Sequence, residues 1–203
     1  MTRGAIIAGG LATRLEGRPK GLERVGGVRI LDRLVATFQE ALGSLPLLVA
    51  NAPDAPSWHP GLRVVADIRP GGGALSGIYT AVVAAPAPVV CAAWDMPFVT
   101  APLLRALADG VSEVDALLPE SGGPRGVEPL CAAYGPACGP AIAAALDAGD
   151  RRAIGFHDRI KVGILPASRV WTFGDPAVLF FNVNTPDDLV EADRLWRKRG
   201  SSR

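Results

Sequence analysis

The chain has 203 residues, 49% of them apolar and 20% charged, enough for one full hydrophobic core and too apolar for a disordered segment. Its 21 basic and 20 acidic residues leave a formal charge of +1, without the basic excess expected of a general nucleic-acid binder. No apolar run reaches the ~18 residues of a membrane span, and Met1-Thr2-Arg3 does not open a signal peptide. Cys91, Cys131 and Cys138 are odd in number and widely spaced, and His59 and His157 are isolated, so neither a disulfide framework nor a zinc site is expected. The expectation is a cytoplasmic protein that binds neither nucleic acid nor membrane.

The first element is Ala5-Ile6-Ile7-Ala8, an apolar run that predicts a buried strand ending at Gly9-Gly10. Arg14, Arg18 and Lys20 follow, with Gly17 and Gly21 between and after them. Glycines let a ligand approach the backbone and its N–H groups, and the basic side chains add positive charge beside the turn. This is the composition of a phosphate-binding loop at the end of a first strand. A surface loop rich in Gly and Arg is the plainer reading of the same residues. Lys20 lies between Pro19 and Gly21, so it does not close a P-loop. The adjacent glycines do not make the Gly-x-Gly-x-x-Gly dinucleotide fingerprint.

Ile30, Leu31, Leu34, Val35, Phe38 and Leu42 recur at helical spacing, with Arg33, Gln39 and Glu40 on the other side. Leu47–Ala50 predicts a second strand ending at Asn51, and Arg63–Ala66 a third ending at Asp67. Gly71-Gly72-Gly73 precedes a helix of small and apolar residues from Leu75 to Ala85. Pro88–Ala93 predicts a fourth strand ending at Trp94-Asp95, followed by a helix from Pro102 to Ala108. Near-continuous apolar strands alternating with helices describe an α/β protein with a mostly parallel sheet covered on both faces.

In such a sheet ligands bind beyond the carboxyl ends of the strands. Gly9-Gly10, Asn51, Asp67 and Asp95 would line that edge. A carboxylate at Asp95 beside a phosphate loop suits Mg²⁺, which takes one or two carboxylates together with substrate phosphates and water. A helix N-cap or turn aspartate is the other reading of Asp95. Asp67-x-x-Pro-Gly is also ordinary turn chemistry.

The motifs, in this order, resemble those of the molybdenum cofactor guanylyltransferases. Ile7-Ala8-Gly9-Gly10, Arg14-Leu15 and Lys20-Gly21-Leu22 resemble the family's opening Leu-Ala-Gly-Gly…Arg-Met-Gly-Gly…Asp-Lys-Gly-Leu. Gly73-Ala-Leu-Ser-Gly77-Ile78 resembles its Gly-Pro-Leu-Ala-Gly-Ile loop, and Trp94-Asp95-Met96-Pro97 its Cys-Asp-x-Pro corner. Glu128-Pro129-Leu130 resembles its His/Gln-Pro-Leu segment, and Gly149-Asp150-Arg151-Arg152 its Gly-x-Arg-Arg stretch. Asn182-Val183-Asn184-Thr185-Pro186-Asp187-Asp188-Leu189 resembles its Asn-x-Asn-Thr-Pro-Glu-Asp-Leu motif. Glu16, Pro19 and Glu128 depart from the family pattern.

The resemblance implies a three-layer Rossmann-like nucleotidyltransferase fold as a single domain over 1–203. Residues 1–100 would form the mainly nucleotide-binding half, 101–196 the mainly acceptor-binding half, and 197–203 a frayed tail. It implies an enzyme that transfers GMP from GTP to the terminal phosphate of molybdopterin and releases pyrophosphate, with Mg²⁺ as cofactor. Carried over by motif, Ile7, Ala8, Gly9, Gly10, Lys20, Asn51, Asp67 and Asp95 surround GTP, and Asp95 holds the metal. Arg14, Lys20 and Asp95 carry the chemistry, while Arg14, Asn182 and Asn184 face the pterin. Two apart on a strand, the asparagines would point to one face. Thr185 and Asp188 also read as a capping box for the last helix.

A molybdenum-insertion protein and molybdoenzyme chaperones are the partners the resemblance implies, with a monomer or weak homo-oligomer as the assembly. Ala8-Gly9-Gly10, where CTP-using relatives tend to carry Ala-Ala-Gly, favours GTP by resemblance. Three other readings stay open: CTP as donor to the same pterin, a sugar-phosphate or cobamide acceptor, and a non-catalytic nucleotide-binding homologue.

Overall fold

Seven strands form one sheet: β1 (Arg3–Ile7), β2 (Leu47–Val49), β3 (Val64–Val65), β4 (Val89–Ala93), β5 (Ala116–Pro119), β6 (Cys131–Tyr134) and β7 (Val162–Leu165). The computed structural model describes residues 1–8, 14–15 and 18–200, and of Arg14, Leu15 and Arg18 it describes the backbone. The strand order is β7-β5-β6-β4-β1-β2-β3. β1 runs parallel to both neighbours, with Ile7 opposite Val49 on one side and Ala93 on the other. β6 alone is antiparallel, to β4 and to β5. β7 closes the far edge parallel to β5.

Alternation along the strands divides the core in two. Ile6, Leu48, Val90 and Ala92 face the layer that holds α1 (Ile30–Leu42) and α3 (Ala101–Gly110). Ala5, Ile7, Val49, Val89 and Cys91 face α2 (Gly73–Ala84) and α4 (Cys138–Asp147). The sheet is therefore sandwiched between two helical layers, as the sequence pattern predicts.

α1 buries Ile30, Leu31, Leu34, Val35 and Phe38 and ends at Gly43, whose left-handed φ of 69° lets its N–H bond Gln39 O. α2 is apolar on most of its surface and lies tight against β1. A Cβ on Gly77 would sit 2.6 Å from Ile7 Cγ2, so only glycine permits that approach. The predicted third strand shortens to Val64–Val65, and the predicted helix at 75–85 begins earlier, at Gly73.

Two short helices, α5 (Ala167–Val170) and α6 (Pro176–Leu179), lead to α7 (Pro186–Gly200). α7 returns to the N-terminal half and docks on the hairpin of Arg24–Val25 with Val28–Arg29. Gly26 N donates to Asp193 Oδ1 at 2.7 Å, and the Arg33 guanidinium lies 3.7 Å from the centre of the Trp196 ring. Residues 197–200, in the expected tail, continue α7, and Arg199 reaches the Phe98 ring at 5.5 Å. Residues 201–203 lie outside the described residues.

Candidate active site

The chain direction reverses across the sheet between β1 and β4. β1 leads outward through α1 to β2 and β3, and α2 brings the chain back to β4. The crevice beyond the carboxyl ends of β1 and β4 is the switch point at which open α/β sheets bind ligands. Ile7 and Ala8 end β1 there, and Trp94-Asp95 ends β4.

Ile7 and Ala8 are buried, and their backbone is already engaged. Trp94 N donates to Ile7 O at 3.1 Å, and Ala8 N donates to Val49 O at 2.8 Å. They shape the end of the strand rather than offer side chains to a ligand. The expected ligand residues Gly9 and Gly10 lie outside the described residues, and so does the Arg14 side chain. Of Arg14 the structure gives the backbone, paired antiparallel with Pro19. That pairing turns the chain back toward the switch point and delivers Lys20 to it.

Lys20 opens a 3₁₀ turn, Lys20–Leu22, and is only 3% exposed. A buried ammonium needs partners, and this one has two. Lys20 Nζ donates to Asn184 Oδ1 at 2.5 Å and lies 3.9 Å from Asp95 Oδ2. Asp95 is the more strained partner. Burial raises its carboxyl above the ordinary aspartate range, and the Lys20 charge draws it back down. Its Oδ1 is buried and accepts no hydrogen bond among the described residues. A hard, anionic oxygen left without a donor fits a divalent cation. Among the described residues no group of three or more His, Cys, Asp or Glu side chains could hold a metal by itself. A cation here would complete its shell with ligand oxygens, as Mg²⁺ ordinarily does.

Asn51 and Asp67, at the ends of β2 and β3, pair with each other. Asn51 Nδ2 donates to Asp67 Oδ2 at 2.8 Å, and Asp67 N donates to Asn51 Oδ1 at 2.7 Å. Asp67 Oδ1 is buried and accepts no hydrogen bond, so this lobe too keeps a carboxylate oxygen in reserve. The next residue is tied to α2, with Ile68 N donating to Thr80 Oγ1 at 3.0 Å.

The two asparagines do not lie on a strand, which corrects that expectation. Residues 181–184 are irregular backbone, tied to the site by Val183 N donating to Asp95 O at 2.9 Å. Asn184 reaches Lys20, whereas Asn182 Nδ2 donates to Phe180 O at 2.9 Å. The expected capping box is present. Asp188 Oδ2 accepts from Asn184 N at 2.9 Å and from Thr185 N at 2.8 Å, and Asp188 N donates to Thr185 Oγ1 at 3.1 Å.

A second carboxylate stands near Asp95. Ala93 N donates to Leu130 O at 2.8 Å, which sets the 128–131 segment beside the end of β4. Glu128 Oε1 accepts from Leu130 N at 3.0 Å. Burial raises the Glu128 carboxyl, the Leu130 N–H and Arg125 lower it, and Asp95 raises it again. In the sequence Glu128 is visible only as a departure from a motif; the antiparallel course of β6 is what brings it to the site.

The comparisons agree with this geometry. Residues 4–160 match the MobA-like NTP transferase domain. A probable molybdenum cofactor guanylyltransferase from Pelotomaculum thermopropionicum is 34% identical over 190 residues, covering 93% of this chain and 90% of its own. One from Chloroflexus aggregans is 38% identical over 201 residues, covering 93% and 92%. The crystal structure of molybdopterin-guanine dinucleotide biosynthesis protein A from Archaeoglobus fulgidus superposes with a TM-score of 0.82 at 26% identity, covering 97% of this chain and all of that one. The family match covers residues 4–160, well over half of the chain, so the chain belongs to the MobA-like NTP transferases.

Proposed function

We propose that this nucleotidyltransferase transfers GMP from GTP to the terminal phosphate of molybdopterin, releasing pyrophosphate. The observation that carries this reading is the meeting of Lys20, Asp95 and Asn184 at the switch point, drawn from three distant parts of the chain. Relatives that align over nearly the whole chain and are named for that activity supply the choice of donor and acceptor.

A terminal phosphate oxygen of the acceptor attacks the α-phosphorus of GTP. The new P–O bond forms as the bond to the bridging oxygen of the β-phosphate breaks, and the electron pair leaves on pyrophosphate. Such a transfer depends on alignment and charge neutralisation more than on covalent chemistry by the protein. Lys20 is held in place before substrate arrives, so its positive charge is available to the leaving pyrophosphate without reorganisation. Asn184 keeps the ammonium from collapsing onto Asp95, and Asp95 retains its unpartnered oxygen. Asp95 would hold Mg²⁺, which would supply Lewis-acid withdrawal of charge from the phosphates. Asn51 and Asp67 would meet the base and ribose end of the nucleotide from β2 and β3. Arg14 and Asn182 remain the proposed acceptor contacts, Gly9 and Gly10 the proposed phosphate cradle, and Ile7 and Ala8 the floor beneath it. Residues 1–100 would thus bind mainly the nucleotide and 101–196 mainly the acceptor, in a cytoplasmic enzyme.

The test is turnover with purified molybdopterin and GTP, CTP or ATP, with and without Mg²⁺, following pyrophosphate and the pterin dinucleotide together. The reading expects Mg²⁺-dependent product from GTP. Product from CTP would make the chain a cytidylyltransferase, and no product from any nucleotide would make it a binding homologue.

A further inference from the structure

The Lys20–Leu22 turn rests on an aromatic wall made by the residue just before Asp95. The Trp94 indole is buried and lies against Gly21 so closely that a Cβ there would sit 2.4 Å from its Cε3 and 2.9 Å from its Cδ2. Gly21 is not among the positive-φ glycines, so its backbone would accept alanine and the indole is the obstacle. The indole is also stacked on Trp58, with ring centres 5.1 Å apart and planes 21° from parallel. Trp58 is itself fixed, since its Nε1 donates to Asp54 Oδ2 at 3.0 Å in the loop that follows Asn51. The Trp94 backbone is anchored to Ile7 O. One ring therefore touches the lysine turn, adjoins Asp95 along the chain, and braces against the loop after β2.

From this packing we infer that Trp94 is a positioning residue: it sets the distance between Lys20 and Asp95 by fixing the height of the lysine turn above the end of β4. The inference rests on the nucleotidyl-transfer reading above for what that distance is used for. Asn184 and Asp95 hold the Lys20 ammonium at the end of its flexible stem, while the buried indole holds the backbone from which that stem starts. The Trp58 stack makes the wall stiff, because the ring cannot yield toward the Asn51 loop without displacing a second buried tryptophan. A small displacement of the turn would move the ammonium relative to the phosphates, and a shift of about 1 Å at a reacting group can cost about a hundredfold in rate.

The experiment uses Gly21→Ala, Trp94→Phe and the pair together, each in the native background and with Lys20→Ala. GTP affinity by calorimetry, kcat for transfer and melting temperature are read for all of them. Gly21→Ala is expected to lower kcat by about 10- to 100-fold, with a smaller change in the KM for the acceptor. Adding Trp94→Phe, whose smaller ring leaves room for the new methyl, should restore about tenfold of that loss. With Lys20→Ala in place, Gly21→Ala should change kcat by less than about twofold, because its effect runs through the lysine. Equal losses in both backgrounds, or a fall in kcat that follows melting temperature alone, would overturn the inference. If Gly21→Ala does not fold, Trp94→Phe alone carries the same cycle with Lys20→Ala. A native chain that binds GTP but transfers nothing would overturn the acceptor reading, and the GTP affinities of the same variants would still decide the role of Trp94.

Discussion

Lys20 Nζ donates to Asn184 Oδ1 at 2.5 Å, joining residues 164 positions apart at the mouth of the switch-point crevice. The bond links the first loop of the fold to the segment that starts its last helix. Asn184→Ala should lower kcat about tenfold, in line with the loss of one charged hydrogen bond, and the loss should largely vanish in a Lys20→Ala background. Asn182→Ala should leave GTP affinity unchanged, since Asn182 bonds only its own segment. Steady-state kinetics of the two single variants and the double variant check this.

Asp95→Asn should abolish Mg²⁺-dependent transfer, with a fall of about a hundredfold or more, while the protein stays folded. Burial already disfavours the charged carboxylate, so the neutral amide is tolerated, and Lys20 keeps its bond to Asn184. Circular dichroism melting beside a transfer assay separates the two effects. Unchanged turnover would remove Asp95 from the metal's ligands.

The capping box holds Asn184 as well as the helix. Thr185→Ala should cost about 1 kcal/mol, the usual loss for an N-cap hydroxyl. Urea unfolding measures it. Because Asp188 Oδ2 also accepts from Asn184 N, Asp188→Ala should lower kcat in addition to stability.

Phe38 is fully buried at the centre of the α1 face and packs in the same cluster as Ile6 and Leu48. Phe38→Ala should destabilise the fold by about 3–5 kcal/mol, measured by chemical denaturation.

His157 gives a pH dependence of defined sign. Burial lowers its pKa below 6.5, with the Asp158 charge opposing, and its Nε2 is buried without a hydrogen-bond partner. The folded state therefore favours the neutral ring. The stability this contributes is complete above the unfolded value of 6.5 and is lost as pH falls from there toward the folded pKa. Melting temperature should fall between neutral pH and the low side of that window, and His157→Phe should flatten this part of the profile.

The N-terminal half was legible because its signals are local. The run Ala5–Ala8, the spacing of Ile30 to Phe38 and the run Val89–Ala93 each declare their element, and the residues after them mark the binding edge. Asn51 and Asp67 were placed on that edge, but their mutual hydrogen bonds depend on β2 and β3 lying side by side, which no spacing reveals. The second half is less legible. Cys131–Tyr134 is two alanines between a cysteine and a tyrosine, and its antiparallel course is fixed by its neighbours β4 and β5 rather than by its own pattern. That course is what sets Glu128 near Asp95. The asparagine pair misled for a related reason: spacing of two means one face only on a strand, and here Val183 N is tied to Asp95 O in irregular backbone. The docking of α7 on the Arg24–Arg29 hairpin through Asp193 and Trp196 is a contact between distant parts of the chain, which no local spacing reveals.

The most direct measurement is a competition assay in which molybdopterin is offered equal GTP and CTP with Mg²⁺, and the dinucleotide product is identified by mass. The account predicts the guanine dinucleotide, one pyrophosphate released per product, and loss of both in Lys20→Ala. A cytosine dinucleotide, or undiminished product from Lys20→Ala, would contradict it.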